Sequence, residues 1–406
     1  MKTTIPERQN STIQNDMRDE KKLSPRSAVL LLTLLVGTGL GLHSCTTESP
    51  AENREAHTIY QAVEELRIGR LEGEPEYTFG RVSRIATGKN GTIFVADNQV
   101  PVIRMYNSEG HYLRNVGREG QGPGEYQSIR GMQTLPDGRL AVSDNSMRIN
   151  VYDPEGHFLE EHESHSRLSG SQTFQTDQNG NFYVLYVVRN TPDMPNWEVE
   201  WQKLSPEGQV IDTIKVPLDE EEREMSFTLF TASGRATPFV EEPMSWMSSL
   251  GYLITGRNDR YAFTLNLSDA PPIQVERAYP PVRVTSEERS EWEAWKSYYK
   301  TNNIIPDIKP AYKAIRTDSQ GRVWIWRYVE SEYTEKRIGP DFGPDSRWWE
   351  RPEYDIFLPD GSFHATVLLP WNASFRDARD NLIWAVVQGD YSEQYVARLR
   401  MVEVTD

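Results

Sequence analysis

The chain has 406 residues, with 44 Lys plus Arg against 60 Asp plus Glu, a formal net charge of −16 and one cysteine, Cys45. Without a run of basic residues this balance argues against a nucleic-acid partner, because affinity for phosphate backbones comes from clustered Lys and Arg. One cysteine excludes an internal disulfide framework, and length alone would allow two or three domains.

In chain order, the first feature is an apolar run from Ser27 to Leu42, preceded by Lys21, Lys22 and Arg26 and followed by His43, Ser44 and Cys45. It is too short to span a bilayer comfortably and reads as a secretory signal. Its end resembles a bacterial lipobox, with Leu42 at −3, a small Ser44 at −1 and Cys45 at +1, while His43 at −2 departs from the usual pattern. The resemblance implies that Cys45 is lipidated and becomes the new N-terminus. Each acyl CH₂ buried in a membrane would then contribute roughly 0.8 kcal/mol of anchoring. The stretch ahead of the run is long for a signal, and Met17 is the expected true start. Residues 1–44 are thus expected to be a signal peptide and 45–56, small and polar, a flexible tether. Thr46 at +2 favours the outer membrane, facing periplasm or cell surface.

Residues 57–406 carry two recurrent turns. The first appears as Lys89-Asn-Gly91, Pro136-Asp-Gly138, Gln178-Asn-Gly180 and Ser319-Gln-Gly321. The second appears as Asn107-Ser-Glu-Gly110, Asp153-Pro-Glu-Gly156, Ser205-Pro-Glu-Gly208 and Leu358-Pro-Asp-Gly361. Glycine supplies the positive φ that tight hairpin turns need, and Asp or Pro pre-forms the residue before it. The intervening strands, such as Thr92 to Ala96 and Arg322 to Trp326, are apolar on consecutive residues and must be covered on both faces. A repeated four-stranded meander that cannot hide its own faces predicts radially stacked blades.

The segment from Glu65 to Tyr77 parallels that from Tyr112 to Tyr126, so the domain begins with a fourth strand. Its three partners are expected at the far end, over residues 373–376, 381–387 and 394–400. Five units with first strands near residues 82, 129, 172, 245 and 312 lie between, giving six blades with one shared between the chain ends. Such closure removes open sheet edges.

The second unit, with Gly120-Gln-Gly-Pro-Gly-Glu-Tyr126 and Asp137-Gly-Arg-Leu-Ala-Val-Ser-Asp144, resembles the NHL-type repeat. The whole pattern is similar to six-bladed β-propeller lipoproteins of Bacteroidota-like bacteria. The resemblance covers residues 57–406 and implies an all-β propeller of four-stranded antiparallel blades, but it says little of function, because propellers carry binding, scaffolding and several unrelated chemistries.

The two glycine turns share one rim and leave no room for insertions, so the longer loops fall on the other. Those loops include residues 190–197, residues 327–351, and a helix expected over residues 286–299 that opens with Ser286-x-x-Arg289 rather than a full capping box. Recognition usually sits on long loops of a rigid scaffold, which makes this decorated rim the expected binding face. Candidate ligand-binding residues there are Asp97, Asn98, Arg118, Gln121, Asp144, Asn145, Trp197, Trp348 and Trp349. The two Asp-Asn pairs also suit capping of their own loops, and the Trp residues suit packing of a loop onto the ring. Gly117 to Gly124 lacks the Gly-Lys-Ser/Thr ending of a phosphate loop.

His111, His157, His162, His165 and His364 fall in or beside outer strands, which argues against a central His-ligated metal. No Gly-x-Ser-x-Gly elbow occurs. The leading expectation is a monomeric, membrane-anchored binding or scaffold module for a peptide, glycan or protein, without cofactor or catalytic residues. The alternative is a calcium-dependent hydrolase or lyase, lactonase-like, using carboxylates and carbonyls such as those of Asp97, Asn98, Asp144 and Asn145.

Overall fold

The computed structural model describes residues 58–145, 148–163, 174–189, 197–223, 225, 238–299, 304–335 and 347–404. The signal, Cys45 and the tether lie outside the described residues, within which no helix is long and apolar enough to cross a membrane.

Six antiparallel blades form the domain. Blade 1 comprises strands Val82–Thr87, Ile93–Asp97, Val102–Tyr106 and Tyr112–Val116. Blade 2 comprises Ile129–Thr134, Leu140–Asp144, Arg148–Tyr152 and Phe158–Glu163. Blade 3 comprises Phe174–Thr176, Phe182–Arg189, Trp197–Leu204 and Val210–Lys215. Blade 4 comprises Pro243–Met247, Leu253–Arg257, Ala262–Asn266 and Ile273–Glu276. Blade 5 comprises Tyr312–Thr317, Val323–Arg327, Glu353–Phe357 and Phe363–Leu368. Blade 6 comprises Ala373–Arg379, Leu382–Gln388 and Gln394–Glu403, completed by the N-terminal strand Ile59–Ile68.

The closure expected from the sequence is present. Ile59–Ile68 runs antiparallel to the last strand, from Tyr60 opposite Glu403 to Ile68 opposite Val396. Its first residues also pair in parallel with blade 5, Ile59 opposite Thr366, so one strand ties the last two blades together. Glu65 accepts from Arg398 and Arg400, each at 2.6 Å, which fixes the register of this seam.

Alternation along the second strands explains why the blades must stack. Ile93 and Val95 pack toward blade 6, whereas Phe94 and Ala96 pack toward blade 2. In blade 5, Trp324 faces blade 6 and Val323 and Ile325 face blade 4. Successive strand residues point to opposite faces, so a strand apolar at every position contributes to two cores at once. Six such interblade cores run around the ring, one between each neighbouring pair. The eight turn glycines recognised in the sequence have φ between +79° and +95°. A ninth, Gly251 (φ +84°), makes the first turn of blade 4.

Two local expectations are corrected. The helix spans Ser286–Tyr299, but its cap is Thr285, whose Oγ1 accepts from the Glu288 N–H at 3.1 Å. This gives the Thr-x-x-Glu spacing of a capping box one residue earlier than expected, except that the Glu288 carboxylate is drawn to Lys309 Nζ at 2.9 Å. Trp348 and Trp349 lie not in an open loop but in a short strand, Trp348–Glu350, paired with Ser331–Tyr333. Trp197 likewise begins a strand, its backbone opposite Arg189.

Candidate functional site

A cavity of about 1080 Å³ occupies the centre of the ring, and all six first strands line it. Blade by blade they contribute Arg84, Gln133, Gln175, Trp246, Arg316 and Arg376. First strands are covered on both faces by neighbouring blades, so a charged side chain on one of them has only the channel to enter. The cavity reaches the rim of the glycine turns, where the exposed Lys89, Gln178, Ser319 and Asp380 edge its mouth.

Three arginines dominate it. Each folds one guanidinium N–H back onto the carbonyl of the residue before it: Arg84 to Ser83 at 2.8 Å, Arg316 to Ile315 at 3.3 Å and Arg376 to Phe375 at 3.0 Å. Among the described residues none of the three has an ion-pair partner. Arg316 also lies over the Trp246 ring, 4.3 Å from its centroid, and Trp246 Nε1 donates to Thr317 Oγ1 at 3.1 Å, which holds the ring in place. Burial, then the like charges of Arg376, Arg316 and Arg130, push the Arg84 guanidinium down to about 10. Burial also lowers Arg316 and Arg376. Water touches the side chains of Arg316 and Arg376 from within the channel, while protein crowds them on their other sides.

Acids near the cavity are occupied differently. Asp177 accepts from the N–H groups of Asn179 and Asn181 and from the Tyr183 hydroxyl. Asp318 accepts from Arg322 Nε at 2.6 Å and Trp324 Nε1 at 2.9 Å. Both belong to their turns. Asp377, from blade 6, accepts from Thr87 Oγ1 and the Ala378 N–H, and burial pushes its carboxyl up to about 6. Opposite, Gln133 Nε2 donates to Gln175 Oε1 and Thr176 Oγ1 to Gln133 Oε1, both at 3.0 Å, a polar belt joining blades 2 and 3.

The residues singled out on the other rim do not line this cavity. Asp97 is buried, accepts from the N–H groups of Gly80, Arg81 and Gln99, and pairs with Arg104 at 3.3 Å. Those N–H groups hold its carboxyl below the usual range against the opposing effect of burial. Asn98 clamps both backbone groups of Ile129, stitching blade 1 to blade 2. Asp144 accepts from the Gln127 N–H, and Asn145 from Arg130 Nε. Arg118 is exposed and pairs with Glu125 at 2.6 Å; Gln121 is exposed beside it. Trp348 packs edge-on against Tyr333, ring centroids 5.8 Å apart, and Trp349 is half-buried in the same hairpin. Only the backbone of Trp197 is described. Among the described residues no group of three or more His, Cys, Asp or Glu is placed to hold a metal ion.

No contiguous basic run marks the channel arginines, which lie far apart in the chain. The usable signal was a charged residue on a strand predicted to be covered on both faces.

Comparison with known proteins agrees with the architecture. A family described as a 6-bladed beta-propeller matches residues 52–227. No curated protein matches the sequence. Among solved structures, a Bacteroides fragilis protein described as exported is similar at 11% identity, covering 85% of this chain and 99% of its own, with a TM-score of 0.47. A gluconolactonase from Xanthomonas campestris is similar at 11% identity, 84% and 97% coverage and a TM-score of 0.40. A virginiamycin B lyase from Staphylococcus aureus is similar at 10% identity, 86% and 97% coverage and a TM-score of 0.38. Likeness at this level transfers no activity. With six blades joined by six interblade cores, and a family of that description matched over its N-terminal part, the chain is a six-bladed β-propeller.

Proposed function

We propose that the protein is an extracytoplasmic binding module, held to a membrane by a lipid on Cys45, that takes its ligand into the central channel. The observation that carries this reading is the cavity lined by every blade, into which Arg84, Arg316 and Arg376 present guanidiniums that each make one hydrogen bond within the chain. Rigid rings that converge side chains from several elements on one concave space are common ligand sites. Of the carboxylates that line the cavity, Asp177 and Asp318 serve their own turns, Asp377 accepts from Thr87 and the Ala378 N–H, and Asp380 at the mouth accepts from Gln320 Nε2; those of the opposite rim, Asp97 and Asp144, accept backbone N–H groups. That commitment favours binding over metal-assisted hydrolysis.

The test has two arms. Cys45→Ser is expected to shift the protein from the membrane fraction to the soluble fraction, and unchanged membrane retention would remove the anchor from the proposal. Native mass spectrometry of the full chain purified in detergent should show a small molecule retained by the parent protein and by Arg118→Ala. Ser83→Trp, which narrows the cavity, should lose it. Retention by Ser83→Trp together with loss from Arg118→Ala would move the site to the decorated rim.

A further inference from the structure

Resting on the channel reading above, we infer that the ligand is a small polyanion carrying two or more carboxylate, phosphate or sulfate groups, gripped by Arg84, Arg316 and Arg376 over the Trp246 ring.

The first support is the contrast with the rest of the chain. Acids outnumber bases, 60 to 44, so a cation without an acid beside it goes against composition. Elsewhere in the walls cations are paired: Arg104 with Asp97 at 3.3 Å, Arg322 with Asp318 at 2.6 Å, Arg148 with Glu161 at 2.8 Å. The channel gathers four guanidiniums: Arg379 donates to Ser319 Oγ and the Thr87 carbonyl, while Arg84, Arg316 and Arg376, from blades 1, 5 and 6, have no acid as an ion-pair partner among the described residues. Arg84 is half-buried and Arg316 and Arg376 open onto the channel, where the like charges of the other two bear on Arg84.

The second support is the donor count. An arginine has five N–H donors in a fixed fork, and only one hydrogen bond to protein is made by each of these three. The planar fork suits the paired oxygens of carboxylate, phosphate or sulfate, and such charge-assisted bonds are roughly twice as strong as neutral ones. A neutral sugar would satisfy donors but leave three charges uncompensated, and a cation would add to the repulsion. One negative charge would offset a single arginine, so two or more are needed. Trp246 beneath Arg316 fixes the guanidinium plane and offers an apolar floor to the ligand's carbon frame. Asp377, also on the lining, accepts from Thr87 Oγ1 and the Ala378 N–H and forms no ion pair with these three arginines among the described residues.

Full chain in detergent is titrated, at constant ionic strength, with citrate and separately with inorganic pyrophosphate, glucose serving as the neutral control. Calorimetry and thermal melting are followed for the parent, Arg316→Gln, Arg376→Gln and Arg376→Lys. At least one anion should bind and raise the melting temperature, glucose should do neither, and each Gln variant should weaken binding about tenfold or more. Arg376→Lys should recover part of the loss. The ligand-free Gln variants should melt no lower than the parent, which shows that the fold is intact. Citrate alone would identify a carboxylate ligand, pyrophosphate alone a phosphate ester, and both a site that reads charge. Anion binding that is undiminished in the Gln variants overturns the inference. If neither anion binds while Ser83→Trp still loses the native small molecule, the polyanion inference fails and the channel reading stands. If Ser83→Trp also loses nothing, both fall.

Discussion

Two groups of cations meet at blade 5, one outside the channel around Lys309 and one in the channel with Arg84, Arg316 and Arg376 from blades 1, 5 and 6, and they are handled in opposite ways. Lys309, fully buried, meets Glu288 at 2.9 Å, Glu350 at 2.8 Å and the Ser331 hydroxyl at 2.8 Å, with the Phe239 ring 5.1 Å away. Its three ammonium donors are all used. Arg316, a few residues further along the chain in the first strand of blade 5, has one backbone carbonyl, one aromatic ring and no acid as a partner among the described residues. The lysine pins the helix Ser286–Tyr299 and the Ser331–Glu350 hairpin onto the ring, and its charge is internally balanced. The channel arginines leave their balance to something outside the chain. Complete pairing marks a cation that holds the fold, and absent pairing marks one that waits for a ligand.

Breaking the paired group should have the largest effect. Lys309→Met leaves Glu288 buried without a cation, while Glu350 keeps Lys313 at 2.7 Å, and is expected to cost about 3 kcal/mol in urea denaturation, since removing one partner of a buried pair strands the other's charge. A loss below ~1 kcal/mol would mean that water reaches this cluster and the contrast with the channel is weaker than drawn. Next in size, Asp318→Asn weakens the bonds from Arg322 and Trp324 and should cost about 1–3 kcal/mol by the same measurement. It should leave channel binding in place, because Asp318 serves its turn.

Asp377→Asn should act in the other direction and depend on pH. The folded-state carboxyl is raised to about 6 from an ordinary 3.8, so the stability it contributes is full below the ordinary value and is lost as pH rises through about 6. At pH 7.5 the Asn variant should therefore be more stable than the parent, by on the order of 1 kcal/mol, and the gain should vanish by about pH 3.5. A gain of the same size at both pH values would show that the effect is not one of charge.

Much of the ring is legible in the sequence. Turn glycines such as Gly91 and Gly156 have a fixed backbone requirement, and strands such as Ile93–Asp97 are apolar at every position, so local residues alone demand stacked blades closed by Ile59–Ile68. The site was not legible in the same way. Arg84, Arg316 and Arg376 share no motif and are far apart in the chain, and closure of the circle is what brings them together. The Asp97-Asn98 and Asp144-Asn145 pairs drew attention because they recur. Recurrence in a repeat protein follows from the scaffold's own needs, and each pair joins strand ends to crossing loops. Trp348 gives no strand signal of its own because its partner strand, Ser331–Tyr333, lies across an insertion in blade 5.

The most direct measurement is the melting temperature of ligand-free Arg84→Gln, Arg316→Gln and Arg376→Gln at low and at high salt. Removing one of three mutually repelling, unpaired charges should raise the melting temperature in low salt by a few degrees, with a smaller gain at high salt where screening already relieves the repulsion. A lower melting temperature in all three variants, as expected for Lys309→Met, would show that these arginines hold the fold together and would contradict the assignment of the channel to an anionic ligand.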